Sequence, residues 1–299
     1  MATKQSFFSR LFDGKHAVIG IPYLWFILLA AIPILIILKI SLSEMQGTSV
    51  SNMIDWSNGW PKLTLNFSSY QFIFSDSLYL KTYISSIKYA LLTTLICLII
   101  GYPFAYFMAR SPKHLQPMLL MLIMLPFWTS FLLRIYAWKT LLENNGIINN
   151  VLMSTGVIDT PIAMMNTPFS LMIGMVYSYL PFMILPLYAN LSKLDMRYLE
   201  AAADLGASPF KAFWFITVPL SKAGIIAGSM LVFIPTIGEY VIPELLGGSS
   251  TLMIGRVLWN EFFSNNDWPM ASAVAVVMIL LILVPMAIYN KSQAEAEAK

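Results

Sequence analysis

Six apolar stretches divide the chain: Ala17–Leu38, Tyr83–Ala109, Gln116–Leu133, Pro168–Tyr188, Gly224–Leu246 and Ala271–Tyr289. Each holds about 18–27 residues, and a hydrocarbon core about 30 Å thick calls for about 20 residues at 1.5 Å per residue. The pattern therefore predicts an all-α membrane protein with six spanning helices. The first stretch exceeds the usual apolar length of a cleavable signal, and no small-residue cleavage site follows "ILIILKISLSEM". It is read as a retained span.

The polar segments are as informative as the spans. Residues 44–82 carry Trp56, Trp60, Phe67, Tyr70, Phe72, Phe74 and Tyr79, an interfacial belt with local packing or a docking surface. The stretch 138–161 reads as a short helix ended by Asn145-Gly146 and then a second short amphipathic piece. The largest polar loop covers residues 190–223. Asp195 is placed to cap a helix through "MRYLEAAADL". Gly206 lies where a left-handed terminator belongs. Ser208 caps a second helix with Pro209 at its first position, and Pro219 is expected to break it. A connector between helices needs only about 2–8 residues, so an ordered loop of this length has a task of its own. Ala201, Ala202 and Ala203 keep one face slim enough for a partner's backbone. Phe210, Phe213, Trp214 and Phe215 must pack partly under the spans and partly on a partner.

Composition agrees with the pattern. Hydrophobic residues make up 58% and charged residues 11%, where soluble domains carry about 25% charged. Mean hydropathy is +0.71. A net charge of +3 gives no support to nucleic-acid binding. The single cysteine, Cys97, excludes an internal disulfide and reads as a packing residue. With the N-terminus inside, 11 of the 18 Lys and Arg fall on inner segments and 7 on outer ones, which sets both termini in the cytoplasm. The chain is thus expected to be one transmembrane domain over 1–299, with a cytoplasmic segment at 1–16 and a solvated, frayed tail at 290–299.

The loop carries a resemblance. "EAAADLGASPFKAFWFITVPL" resembles the signature of permease subunits of ATP-binding-cassette (ABC) importers: Glu-Ala-Ala, three intervening residues, Gly, then about a dozen residues and an apolar-Pro. Six spans with this loop between the fourth and fifth match the core of that family, of the type I importer kind, over most of the chain. The resemblance implies that Glu200, Ala201, Ala202, Asp204 and Gly206 belong to a cytoplasmic coupling helix seated in a groove of a separate ATP-binding subunit dimer. ATP and Mg would be bound there, and this chain would need no cofactor or metal. No Walker-type phosphate loop and no catalytic or zinc motif occurs in the sequence, so no catalytic residue is assigned.

"LPFWTSFLLRIYAWKTLLENNGIINN", "GVIDTPIAMMNTP", "VYSYLPFMILPLY", "IPTIGEYVIPELLGGSSTLMIGRVLWNEFF" and "NNDWPMASA" resemble the permeases of bacterial polyamine importers, above all the putrescine branch. That resemblance implies a bacterial inner-membrane location, a second homologous permease subunit and an external polyamine-binding protein. The fifth stretch holds Glu239, Tyr240 and Glu244 among Pro235, Gly238 and Pro243. Carboxylates within an apolar run are expensive, about 2.5–3.5 kcal/mol each at the membrane centre, and broken helices line substrate paths. Glu239, Tyr240 and Glu244 are the candidate path for an organic cation. On an unbroken helix five residues turn by about 140°, so the two carboxylates converge only if Pro243 bends the chain. The alternatives are that Glu239 pairs with Arg134 or Lys88 and that Glu244 stands in outer water. The rival function is an ion-gradient-driven secondary transporter or channel for small organic cations. A membrane enzyme is weakest, because no nucleophile–base set can be read.

Overall fold

The computed structural model describes residues 14–47, 49–51, 54–55 and 62–297. Most of the expected N-terminal segment, together with Lys4, Arg10, Trp56 and Trp60, lies outside them. Four helices are long and apolar enough to cross a membrane, and two bent pairs bring the number to six if each is one span. The contacts divide the chain into two compact units, Met1–Ser75 with Glu261–Ile279 and Asp76–Asn260 with Leu280–Lys299.

The first unit opens with α1 (Gly14–Phe26), which runs through a π turn at Ile27–Ala31 into α2 (Ile32–Ser41). The Ile32 N–H reaches back five residues to the Ile27 carbonyl, immediately ahead of Pro33, whose missing N–H interrupts the ordinary ladder. None of the side chains from Val18 to Ile40 is buried, as for a helix apolar on all sides. The described residues of the 44–82 segment include two small antiparallel hairpins that the sequence did not announce. In them β1 (Met45–Gln46) pairs with β2 (Ser49–Val50), and β3 (Ile54–Asp55) with β4 (Lys62–Leu63). Helix α3 (Ser68–Ser75) follows. The Asn66 side chain accepts the Ser68 N–H at 2.7 Å, and the Tyr70 hydroxyl donates to Ser41 Oγ at 2.8 Å.

The second unit is built on three long helices. Asp76 accepts the Leu78 N–H and starts α4 (Ser77–Arg110). Thr167 and Ser170 form a reciprocal capping box at the start of α8 (Pro168–Leu191). Helix α12 (Lys222–Ile237) packs against both. Their shared core includes Cys97, Ala105, Met175, Met183, Leu187 and Val232, so Cys97 takes the packing role read for it. Small residues let the backbones close, as in membrane helix pairs generally. A Cβ on Gly228 would stand 2.8 Å from Met183 Sδ and 3.0 Å from its carbonyl oxygen.

Two expected spans are broken. The third is not one helix over Gln116–Leu133. Helix α5 (Gln116–Met124) tightens into a 3₁₀ turn at Leu125–Trp128, and α6 (Phe131–Leu142) leaves at 84°. Pro126 donates no hydrogen bond to the turn before it, and Thr129 and Ser130 are extended (ψ 152° and 137°). Helix α7 (Ile147–Ser154) begins directly after Gly146, where the Asn-Gly break was read. The fifth span stops at Ile237 instead of running to Leu246, and the chain resumes as α13 (Val241–Leu245), a 3₁₀ turn and α14 (Ile254–Trp259). The last helix, α15 (Trp268–Glu297), continues helically through the segment expected to fray. Its Ala and Glu residues are strong helix formers.

In the long loop, α9 (Arg197–Asp204) and α10 (Pro209–Ala212) are followed by a π turn at Phe213–Thr217 and α11 (Val218–Leu220). Pro219 does not break this arm. Lying inside α11, near its start, it is tolerated, and the chain turns by 65° at Ser221 instead.

Candidate functional site

The long loop forms the first candidate surface. Asp195 Oδ1 accepts the Arg197 N–H at 3.0 Å, just ahead of α9. At the far end Ala207 N donates to the Ala202 carbonyl and Gly206 N to that of Ala203, both at 2.9 Å, with Gly206 at φ +79°. This is a Schellman closure, and the left-handed residue that it needs is the predicted glycine. Ser208 accepts the Lys211 N–H at 3.4 Å. Glu200, Ala201, Asp204 and Gly206 are exposed, while Ala202 is buried against the protein. Leu205 is 88% exposed, Phe215 78% and Phe210 73%, a cluster of large apolar groups that water alone would not favour.

The arm is fixed to the body from behind. Phe213 packs edge-on against Tyr102 and Tyr106 of α4, with centroids 5.5 and 5.9 Å apart. The Tyr102 hydroxyl lies 2.7 Å from Ser221 Oγ at the 65° turn. Ser221 gives its own proton to the Val218 carbonyl at 3.0 Å, so Tyr102 donates. The aromatics thus divide as expected, Phe213 inward and Phe210, Trp214 and Phe215 outward.

The second candidate is the break after α12. Glu239 pairs with neither Arg134 nor Lys88. Its Oε2 accepts a short hydrogen bond from the Tyr179 hydroxyl of α8. Its Oε1 accepts the N–H groups of Val241 at 3.0 Å and Ile242 at 3.4 Å. The carboxylate therefore caps α13 and ties it to a span. Gly255 of α14 makes room beside it, since a Cβ there would overlap the Gly238 and Glu239 carbonyl oxygens. Tyr240 stacks on Trp259, with centroids 4.2 Å apart and planes 12° apart. Glu244 is not simply in water. Its Oε2 lies 2.6 Å from Arg256 Nε.

Glu239 and Glu244 thus serve separate networks. Glu244 instead lines a cavity of about 520 Å³ with Lys139, Glu143, Asn144 and Asn166. The residues missed in the sequence are Tyr179, Arg256, Trp259 and Glu143. A tyrosine buried inside a span needs a partner for its hydroxyl, which was the available signal for Tyr179. Nothing in the local sequence marked the others.

Comparison with known proteins identifies the family. Residues 17–294 match the family described as binding-protein-dependent transport system inner membrane component. The chain belongs to that family: it is a permease subunit of the ABC importer class, multi-pass in the inner membrane. It is 40% identical over 265 residues to the spermidine/putrescine transport system permease protein PotB of Escherichia coli (strain K12), covering 89% of this chain and 92% of that one. The PotB of Haemophilus influenzae is 38% identical and covers 92% of each chain. Among solved structures, a bacterial alginate ABC transporter in complex with alginate pentasaccharide-bound periplasmic protein superposes with a TM-score of 0.66 at 15% identity, over 96% of both chains. The MetNI methionine ABC transporter superposes at 0.54, 11% identity, over 71% of this chain and 93% of that one. These two likenesses concern the fold.

Proposed function

We propose that this chain is one of two permease subunits of a polyamine importer, with putrescine as cargo, driven by a separate ATPase dimer and loaded by an external binding protein. The observation that carries the motor assignment is the exposed α9 surface, with its apolar cluster beside Glu200 and Asp204 and its rigid backing on Tyr102. In this reading Glu200, Ala201, Asp204 and Gly206 meet the ATPase, which holds the ATP and Mg, while Ala202, expected there too, is buried and seats the helix on the permease itself. Both termini lie in the cytoplasm.

The names of the PotB relatives support a polyamine cargo, and the acid-bearing cavity fits one. Glu143 and Glu244 provide two carboxylates and Asn144 and Asn166 two amide oxygens for ammonium groups. Tyr240, stacked on Trp259, is not part of that cavity's lining and offers a separate aromatic face for a cationic end along the path. Glu239, by contrast, holds the broken helix in shape for cargo to pass.

The test is uptake of labelled putrescine into proteoliposomes holding the complete importer, with binding protein outside and ATP available to the ATPase. Wild type accumulates putrescine only with hydrolysable ATP. Glu200→Lys abolishes that uptake, and the ATPase no longer co-purifies, although the chain still inserts. Normal ATP-driven uptake by this variant, or ion-gradient-driven uptake by the chain alone, refutes the proposal.

A further inference from the structure

A second cavity, of about 530 Å³, lies at the middle of the spans and has a different chemistry. Phe127, Phe131 and Phe182 give it an apolar wall, and its polar groups are Arg134, Ser178 and Tyr179, the last already committed to Glu239, which is in turn held by the α13 amides. Ser178 is 4% exposed, and its hydroxyl has no partner among the described residues. Arg134 Nε and Nη1 are also enclosed without an acceptor. The guanidinium carbon lies 4.8 Å from the Phe127 centroid and 5.8 Å from that of Phe131, over ring faces. Arginine does not lose its proton in a protein. A cation so placed requires an acceptor, as buried polar groups do in general.

Three sources could supply one. A lipid phosphate is at the wrong depth: Ser178 is the eleventh of 24 residues in α8, about 15 Å or more along the helix from either end. Putrescine carries positive charge and offers no acceptor. That leaves another polypeptide. The side chains around the cavity are open for one, since Leu231 of α12 is 50% exposed and Phe182 is 39% exposed. The volume is several times that of one side chain, enough for one face of a helix.

We propose that this cavity receives an acidic side chain carried on an apolar helix of the second permease subunit, pairing with Arg134 and accepting from Ser178. The proposal rests on the two-permease assembly given above. It adds a charge lock at membrane depth, where a carboxylate opposite a guanidinium avoids the cost that each has alone. It also gives a basis for choosing between partners, since an apolar chain would leave Arg134 unpaired.

The test uses the full chain in membranes, with Leu231→Cys in a Cys97→Ala background and a membrane-permeant maleimide. Labelling is expected to fall about tenfold or more when the second permease is co-expressed, and to be unaffected by putrescine added to the chain alone. Arg134→Glu is expected to lower recovery of the second permease about tenfold, with Arg134→Lys retaining most of it. Equal labelling with and without the second permease overturns the proposal. So does protection by putrescine, which would make the cavity a cargo site, and so does normal recovery with Arg134→Glu. The labelling arm keeps Arg134 intact and stands even if the substituted chains misfold. A cargo other than putrescine, with the protection intact, would overturn the cargo reading and leave the lock in place.

Discussion

Glu239 shows how a costly residue can have a structural use. Its carboxylate accepts from a tyrosine of one helix and from two amides of its own next turn. Charge-assisted bonds of this kind are the stronger ones. Glu239→Gln keeps an oxygen for the amides and loses the charge. Glu239→Ala leaves the Tyr179 hydroxyl and the α13 start without an acceptor, at about 1–3 kcal/mol for each buried group. Thermal unfolding in detergent is therefore expected to move down by several degrees for Glu239→Ala and by less for Glu239→Gln. Equal melting of all three chains would remove the capping role. Glu244→Gln breaks a partly exposed pair with Arg256, worth only about 0–1 kcal/mol. Its expected effect is on putrescine uptake at unchanged stability, read as a raised KM in the proteoliposome assay.

At the scale of elements, the coupling arm is made stiff at a few joints. The Schellman closure at Gly206 fixes the angle between α9 and α10. The Tyr102–Ser221 bond and the Phe213 contacts hold the far end on α4. Under the proposed function, force applied at α9 would then reach α4 and α12 together. Tyr102→Phe leaves Ser221 with one partner fewer and is expected to lower putrescine delivered per ATP severalfold, with ATPase binding unchanged. An unaltered ratio of uptake to hydrolysis would show that this joint carries no force. The α8–α12 contact makes a separate demand. Gly228→Leu would drive a branched side chain into Met183, and overpacking costs about 1–3 kcal/mol or more. The expected outcome is a sharp fall in monodisperse protein on gel filtration.

For the whole molecule, the apolar spans, the class and the two short helices of the long loop were legible along the chain. Apolar length is a one-dimensional property set by bilayer thickness, and caps, Gly206 and the Glu-Ala-Ala pattern act over a few neighbours. The break beyond Ile237 was legible from Pro235, Gly238 and Pro243, and only its exact place was left to the structure. The bend at Thr129–Ser130 was not, because that stretch stays apolar through the break and hydropathy does not register a lost backbone bond. The partners of Glu239, Glu244 and Ser221 were hidden for a stronger reason. Tyr179 is 60 residues from Glu239 and Tyr102 is 119 from Ser221, and which side chains meet across such separations depends on helix rotation and crossing. The sequence by itself thus determined that the chain lives in lipid and carries a short, exposed helix in its longest polar loop. Only the tertiary structure decided which charges are satisfied within the chain and that Arg134 is not, because pairing is a matter of distance in space and periodicity along the chain does not measure it.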